Sequence, residues 1–307
     1  MKAAYFMKHG GPEVLEYGDV PAPVASAGEL VVDVHAASVN GADWKVRSGR
    51  YAPITTFPYV PGRDFSGVVS ALGQGASEFA VGDEVFGVCD VGRDGAYAEQ
   101  VAIAAAIVAR KPATLSHVEC AALALTGLTA LVSIEDTLQL KRGETILVQG
   151  GAGGVASFAI QLAKHIGARV ITTASAANHD YLRGLGADQV IDYATQDFTK
   201  LVSGCDAVFD TVGGDVAKRS FEVLRPGGRA AFIASGYVLP PPPRTDVASL
   251  RPNVRRDRAH LERIVALAAS GAVRVPGITT YVLADAAAAH RVSEGRHLKG
   301  KLVFRVR

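Results

Sequence analysis

Tryptophan occurs once, methionine twice and cysteine three times in this chain of 307 residues. Cys89, Cys120 and Cys205 lie far apart and are odd in number. That argues against a disulfide framework and is the usage of a reducing compartment. No cysteines cluster and the eight histidines are scattered, so the spacing contains no tetrahedral set of zinc ligands. Neither charge dominates: a formal net charge of +2 is too small to imply nucleic acid or an anionic membrane as a partner. The opening MKAAYFMKHG lacks the apolar run of a signal peptide. The longest apolar run, VAIAAAIVA from Val101, is too short to span a bilayer. Tyr-x-x-x-Lys is absent, which excludes the proton relay of short-chain dehydrogenases. A cytoplasmic globular protein is expected.

What is present centres on ILVQGGAGGVASFAIQLAK, Ile146 to Lys164. Ile146, Leu147 and Val148 read as a buried strand. Gly150, Gly151, Gly153 and Gly154 allow a tight turn and close approach to a pyrophosphate. A helix beginning near Val155 presents its free N–H groups and positive dipole end to phosphates. Gly151-x-Gly153-x-x-Ala156 has the dinucleotide-binding form, and its strand–turn–helix context makes it specific.

Before it, about 118 residues look β-rich, with Glu29 to His35 and Gly67 to Ala71 as strands. After it, strands at Arg169–Thr173, Gln189–Ile191, Ala207–Asp210 and Ala230–Ile233 alternate with helices near 155–166, 180–185 and 214–224. Arg225-Pro226-Gly227-Gly228 reads as a turn. This order predicts a parallel, doubly wound sheet. Helix 155–166 is expected to face inward through Val155, Phe158, Ala159, Leu162 and Ile166. Leu239 to Pro243 reads as a stiff connector or flap, and helix 259–270 carries an apolar face.

The second strand ends Thr172-Thr173-Ala174-Ser175-Ala176, without the acid that would hold a ribose 2′-hydroxyl. A 2′-phosphate would not be repelled, so NADPH is the expected cofactor. Ser175, Asn178 and His179 can donate to that phosphate, with Arg183 one turn further; a solvated loop is the other reading.

Ala37-Ser38-Val39-Asn40, Asp43-Trp44-Lys45-Val46-Arg47-Ser48-Gly49 and Pro61-Gly62-Arg63-Asp64-Phe65-Ser66-Gly67 come in a recognisable order. Leu125-Thr126-Gly127-Leu128-Thr129-Ala130, the glycine turn and Asp210-Thr211-Val212-Gly213-Gly214 follow. The chain resembles the medium-chain dehydrogenase/reductase superfamily over its full length. Its nearest likeness is the zinc-free quinone oxidoreductase branch that includes zeta-crystallin. The resemblance implies an α/β protein: a GroES-like β-rich catalytic domain (1–118 and 272–307) around an inserted Rossmann NADP-binding domain (119–271). It also implies a homodimer. Zinc-binding relatives have a ligand Cys where Asn40 stands and a ligand His where Arg63 stands.

By the same resemblance, Asn40 and Trp44 would contact the nicotinamide or substrate, and Thr126 the nicotinamide and its ribose. Gly153, Gly154 and Val155 would form the pyrophosphate turn, with Gly151 as the first glycine of the motif. Ser175 and Tyr193 would surround the adenosine 2′-phosphate, and Phe232, Ile233, Ala234 and Ser235 would line the nicotinamide. For catalysis three candidates stand. Asn40 would hydrogen-bond the acceptor or serve as a turn residue. Arg63 would steady a developing oxyanion or form a salt bridge with Asp64 or Asp43. Tyr51 would donate a proton or lie on the surface. No metal is expected. The expected reaction is hydride transfer from NADPH to an electron-poor small molecule, a quinone. Reduction of the C=C bond of enones or 2-alkenals is the alternative, and a non-catalytic, crystallin-like NADPH-binding protein the third reading.

Overall fold

The computed structural model describes residues 1–51, 54–295 and 298–307. Its strands are β1 (Lys2–Phe6), β2 (Leu15–Asp19), β3 (Glu29–Ser38), β4 (Asp64–Leu72), β5 (Glu84–Val88), β6 (Gln100–Ala104), β7 (Val108–Arg110) and β8 (Thr145–Gln149). β9 (Arg169–Ala174), β10 (Gln189–Asp192), β11 (Cys205–Asp210), β12 (Leu224–Phe232), β13 (Ala248–Leu250), β14 (Ile278–Val282) and β15 (Lys301–Arg305) follow. The α-helices are α1 (Gly41–Arg47), α2 (His117–Leu131), α3 (Gly154–Ile166), α4 (His179–Gly184), α5 (Phe198–Leu201), α6 (Gly214–Arg219), α7 (Arg258–Ala269) and α8 (Ala286–Glu294).

The chain divides into two compact units. Met1–Leu125, Arg255–Ala269 and Val275–Arg307 form the first. Its main sheet runs β14-β15-β3-β4-β5-β7, with β6 also paired to β3. β3 is central because ELVVDVHAAS is apolar and β-branched at most positions, and it is buried along most of its length. Ser38 at its end lies opposite Asp64 on β4 and opposite Val303 on β15. That register draws the end of the chain to the start of α1.

Thr126–Val254 and Ser270–Arg274 form the second unit. All its strands are parallel, in the order β10-β9-β8-β11-β12-β13. This is the doubly wound order in which ligands bind at the carboxyl ends of the strands, where the winding reverses between β8 and β11. Leu147, Val208, Phe221, Ala230 and Phe232 share one apolar core.

Three expectations are corrected. Helix α7 belongs to the first unit, not to the Rossmann segment. The Arg258 guanidinium donates to Val108 O at 2.8 Å, pairs with Glu78 at 2.7 Å and lies over the Phe79 ring. Arg225–Gly228 is not a free turn: β12 continues through it, and Cys205 pairs with Leu224 while Ala207 pairs with Arg229, so Arg225, Pro226 and Gly227 bulge outward while Gly228 is buried. Helix α3 starts at Gly154 and is buried continuously from Ala156 to Ala163, whereas Val155 and Ile166 are half-buried. Its outer side is covered because the Gln161 amide is clamped to the Arg274 backbone through both its ends. His117–Thr137 is long and apolar enough to cross a membrane by length and composition, and most of it is buried inside the protein.

Candidate functional site

The glycine turn is built by the ends of β8 and β9. Gly150 has φ +75, a conformation natural to glycine. Its N–H donates to Thr173 Oγ1 at 3.2 Å, and Gly151 N–H donates to Thr173 O at 2.9 Å. A Cβ on Gly151 would collide with the Thr172 hydroxyl, which itself donates to Val148 O at 2.7 Å. Gly153 is different: a Cβ there would meet nothing nearer than Gly150 O at 3.6 Å. Gly153 caps α3 with φ -69, so its missing side chain is not needed by the fold. It leaves the approach to the helix N-terminus open, which suits a phosphate.

A polar chain holds the neighbouring strand ends. Thr173 Oγ1 donates to Gln149 Oε1 at 2.7 Å, and Gln149 Nε2 donates to Ser220 Oγ at 3.1 Å. Thr211 Oγ1 donates to Gln149 O at 2.8 Å. Asp210 Oδ1 accepts from Gly213 N at 2.7 Å, while its buried Oδ2 has no partner among the described residues. Burial raises the Asp210 carboxyl to about 6. Thr173 and Gln149 escaped the sequence reading, because a threonine and a glutamine on strand ends carry no motif.

Thr126, on α2, is buried, and its Oγ1 has no partner among the described residues. A buried orphan hydroxyl costs free energy unless a ligand satisfies it. With the open approach at Gly153, this is the fit a dinucleotide requires. Ser175 and Asn178 lie together, Asn178 Nδ2 donating to Ser175 Oγ at 3.0 Å. Arg183 is exposed and pairs with Asp180 at 2.9 Å, and His179 Nε2 is a buried atom with no partner among the described residues. Tyr193 is exposed. Asp192, opposite Ala174 in register, is an acid the sequence reading did not weigh; its carboxylate is taken up by Ala194 N and Thr195 Oγ1. Phe232 packs against Phe221 inside the unit, and Ile233 N–H donates to Asp210 O at 3.1 Å. Ala234 and Ser235 follow just beyond the strand.

In the first unit, Asn40 sits immediately before α1, where its backbone N–H donates to Asp43 Oδ2 at 2.8 Å. Asn40 Oδ1 accepts from Lys301 Nζ at 2.8 Å. The same ammonium donates to Val39 O at 2.8 Å and lies 3.8 Å from Asp64 Oδ2. Ser38 Oγ donates to that Asp64 oxygen at 2.5 Å. Burial pushes the Asp64 carboxyl up, against the pull of Lys301, Ser38 and Asn40. It pushes the Lys301 ammonium down, against the pull of Asp64 and Asp43.

Arg63 is buried and pairs with Asp94 at 3.1 Å, not with Asp64 or Asp43. Strand β4 turns Asp64 toward Ser38 and Lys301, which removes it as a partner. Tyr59 OH donates to the other Asp94 oxygen at 2.8 Å. Asp43 stays in the field of Arg63 and accepts from Tyr97 OH at 2.7 Å, and burial raises its carboxyl to about 7. Tyr51 lies at the surface with its ring 5.0 Å from the Arg63 guanidinium carbon. Trp44 is buried in the unit rather than displayed. All three cysteines are buried, and burial pushes the Cys120 thiol up to about 12 and the Cys205 thiol to about 11, so none is an activated nucleophile.

The arrangement therefore offers a phosphate-accepting turn, an orphan hydroxyl and, in the other unit, an amide fixed by an ammonium. Residues 26–113 match the alcohol dehydrogenase GroES-like domain, and residues 185–304 match a model described as zinc-binding dehydrogenase. The 2-methylene-furan-3-one reductase of Solanum lycopersicum is 35% identical over 272 residues, covering 85% of this chain and 69% of that protein. The quinone oxidoreductase of Coxiella burnetii superposes with a TM-score of 0.94 at 35% identity, over 100% of this chain and 99% of that one. The Escherichia coli quinone oxidoreductase complexed with NADPH has a TM-score of 0.92 at 29% identity, over the full length of both. This chain belongs to the medium-chain dehydrogenase/reductase superfamily, in its zinc-free quinone oxidoreductase branch.

Proposed function

We propose that this chain is a zinc-independent, NADPH-dependent quinone reductase. The observation that carries the reading is the chemistry of two positions. Where zinc-binding relatives place Cys and His, this chain has an Asn40 amide bound to Lys301 and an Arg63 guanidinium paired with Asp94. Neither set is a metal site. Bound NADPH supplies the hydride. Gly151, Gly153, Gly154 and Val155 receive the pyrophosphate at the start of α3, and Thr126 Oγ1 hydrogen-bonds the nicotinamide end. Ser175, Asn178 and Tyr193 surround the 2′-phosphate; no acid stands at the end of β9 itself, and the Asp192 carboxylate on the next strand is taken up by Ala194 N and Thr195 Oγ1. Asn40 donates to the acceptor oxygen. Tyr51, stacked on Arg63, stands as the proton donor at the surface, with solvent as the other source. An acceptor that is already electron-poor needs no metal to polarise it, which favours a quinone.

Reduction of an enone C=C bond is the second reading, favoured by the 35% identity to a furanone reductase. We further propose a cytoplasmic homodimer. The test is NADPH oxidation by 9,10-phenanthrenequinone after dialysis against a chelator. A rate above background that zinc does not raise supports the reading; a rate that appears only with zinc overturns it.

A further inference from the structure

We propose that Lys301 is a positioning residue for the reaction, fixing which end of the Asn40 amide is available to the acceptor. The inference rests on the reading that Asn40 serves the acceptor. It adds a residue that lies 261 positions away.

An amide can be placed either way round, and only its hydrogen-bond partners decide. An ammonium has three donors and no acceptor. Lys301 Nζ, 2.8 Å from the Asn40 side chain, therefore requires the oxygen there and sends Nδ2 to the other side. The ammonium has no freedom to move. It is buried, with Val39 O at 2.8 Å and Asp64 Oδ2 at 3.8 Å completing its surroundings. Asp64 is held in turn by Ser38 Oγ at 2.5 Å. The donor end meets acceptors, as it should: Nδ2 reaches Ser38 O at 3.4 Å, and the amide lowers the Asp64 carboxyl. A bond of 3.4 Å is at the weak limit, so an acceptor oxygen at normal distance replaces it readily. Asn40 itself is half-buried, whereas Lys301 and Asp64 are fully enclosed. A cation on the amide oxygen also polarises the group and strengthens its N–H donors. Lys301 thus makes Asn40 a one-way donor, matched to an oxygen that gains negative charge.

The test is a double-mutant cycle on phenanthrenequinone reduction by the full chain, using K301M, N40A and K301M/N40A. Each single variant is expected to lower kcat roughly 100- to 1,000-fold, as removal of an oxyanion donor does. NADPH affinity should hold, and the double variant should be no slower than N40A. Effects that multiply, or an unaffected N40A, overturn the proposal. N40D keeps an oxygen for Lys301 but loses the donor, and is expected to be as slow as N40A. Should K301M fail to fold because it strands the Asp64 carboxylate, K301M/D64N removes both charges together. A neutron crystal structure of that variant, which tells the amide oxygen from the deuterated nitrogen, decides the point without any turnover. An amide rotated or split between two rotamers is expected, and an amide unchanged in place overturns the inference. A wild type without NADPH oxidation would instead defeat the reductase reading, leaving the structural comparison to judge Lys301.

Discussion

Lys301 Nζ donates to Asn40 Oδ1 at 2.8 Å, joining the last strand of the chain to the residue that opens its first α-helix. The contact gives the split of the first unit a chemical purpose. β15 returns antiparallel to β3, and the pairing of Val303 with Ser38 carries Lys301 under the turn at Val39 and Asn40. The C-terminal segment completes a sheet and also supplies the cation beneath a candidate catalytic amide.

Thr126 separates stability from binding. Its hydroxyl is buried with no partner among the described residues, so T126V keeps the shape and removes a penalty. The unliganded variant should be as stable as the wild type or more so, by up to about 1 kcal/mol. NADPH should bind roughly tenfold more weakly, the loss of one hydrogen bond. Thermal unfolding with and without NADPH measures both.

The two glycines of the turn should behave differently. G153A meets only an ordinary contact, Gly150 O at 3.6 Å, at a φ any residue adopts, so its unfolding temperature should match the wild type. Its NADPH affinity should fall tenfold or more, because the methyl takes the space of the pyrophosphate. G151A collides with the Thr172 hydroxyl and should lose both stability and affinity. Fluorescence titration and a melting curve distinguish these patterns.

Breaking the Arg63–Asp94 pair should be costly. R63M leaves the Asp94 carboxylate, 1% exposed, without its cation. Loss of one partner of a buried ion pair destabilises by about 3–5 kcal/mol. R63M/D94N should recover most of that loss in denaturant titrations. A role of Arg63 at the acceptor would then show as activity that the double variant does not recover.

Asp43 predicts a direction with pH. Burial raises its carboxyl to about 7 in the fold, well above the ordinary carboxylate value. The folded state therefore holds a proton that the unfolded state releases, and stability falls as pH rises between those two values. It is complete below the unfolded value and lost above the folded one. D43N has no such proton to lose. Its stability relative to the wild type should improve from pH 5 to pH 8, and a constant difference would contradict the assignment.

Much of this was legible in the sequence where the determinants are local. The strand, glycines and helix of Ile146 to Lys164 are contiguous, and the absence of an acid after β9 is read from five residues. The resemblance carried Thr126, which has no local signature. The rest depends on register. Nothing in Asn40 or Lys301 alone indicates that they meet, because that follows from β15, β3 and β4 lying side by side. Arg63 was expected to steady an oxyanion or to pair with Asp64 or Asp43; the salt bridge it forms is with Asp94, since Asp64 turns toward Ser38 and Lys301. Helix α7 showed its apolar face in the sequence, yet the surface it packs on is set by Arg258 reaching Val108 and Glu78.

The most direct test is the ratio of kcat/KM for 9,10-phenanthrenequinone to that for a 2-alkenal, with NADPH as donor and a chelator present. A ratio well above one is predicted for a metal-free quinone reductase. A ratio well below one, with efficient alkenal reduction, would contradict that assignment and make the chain an enone reductase.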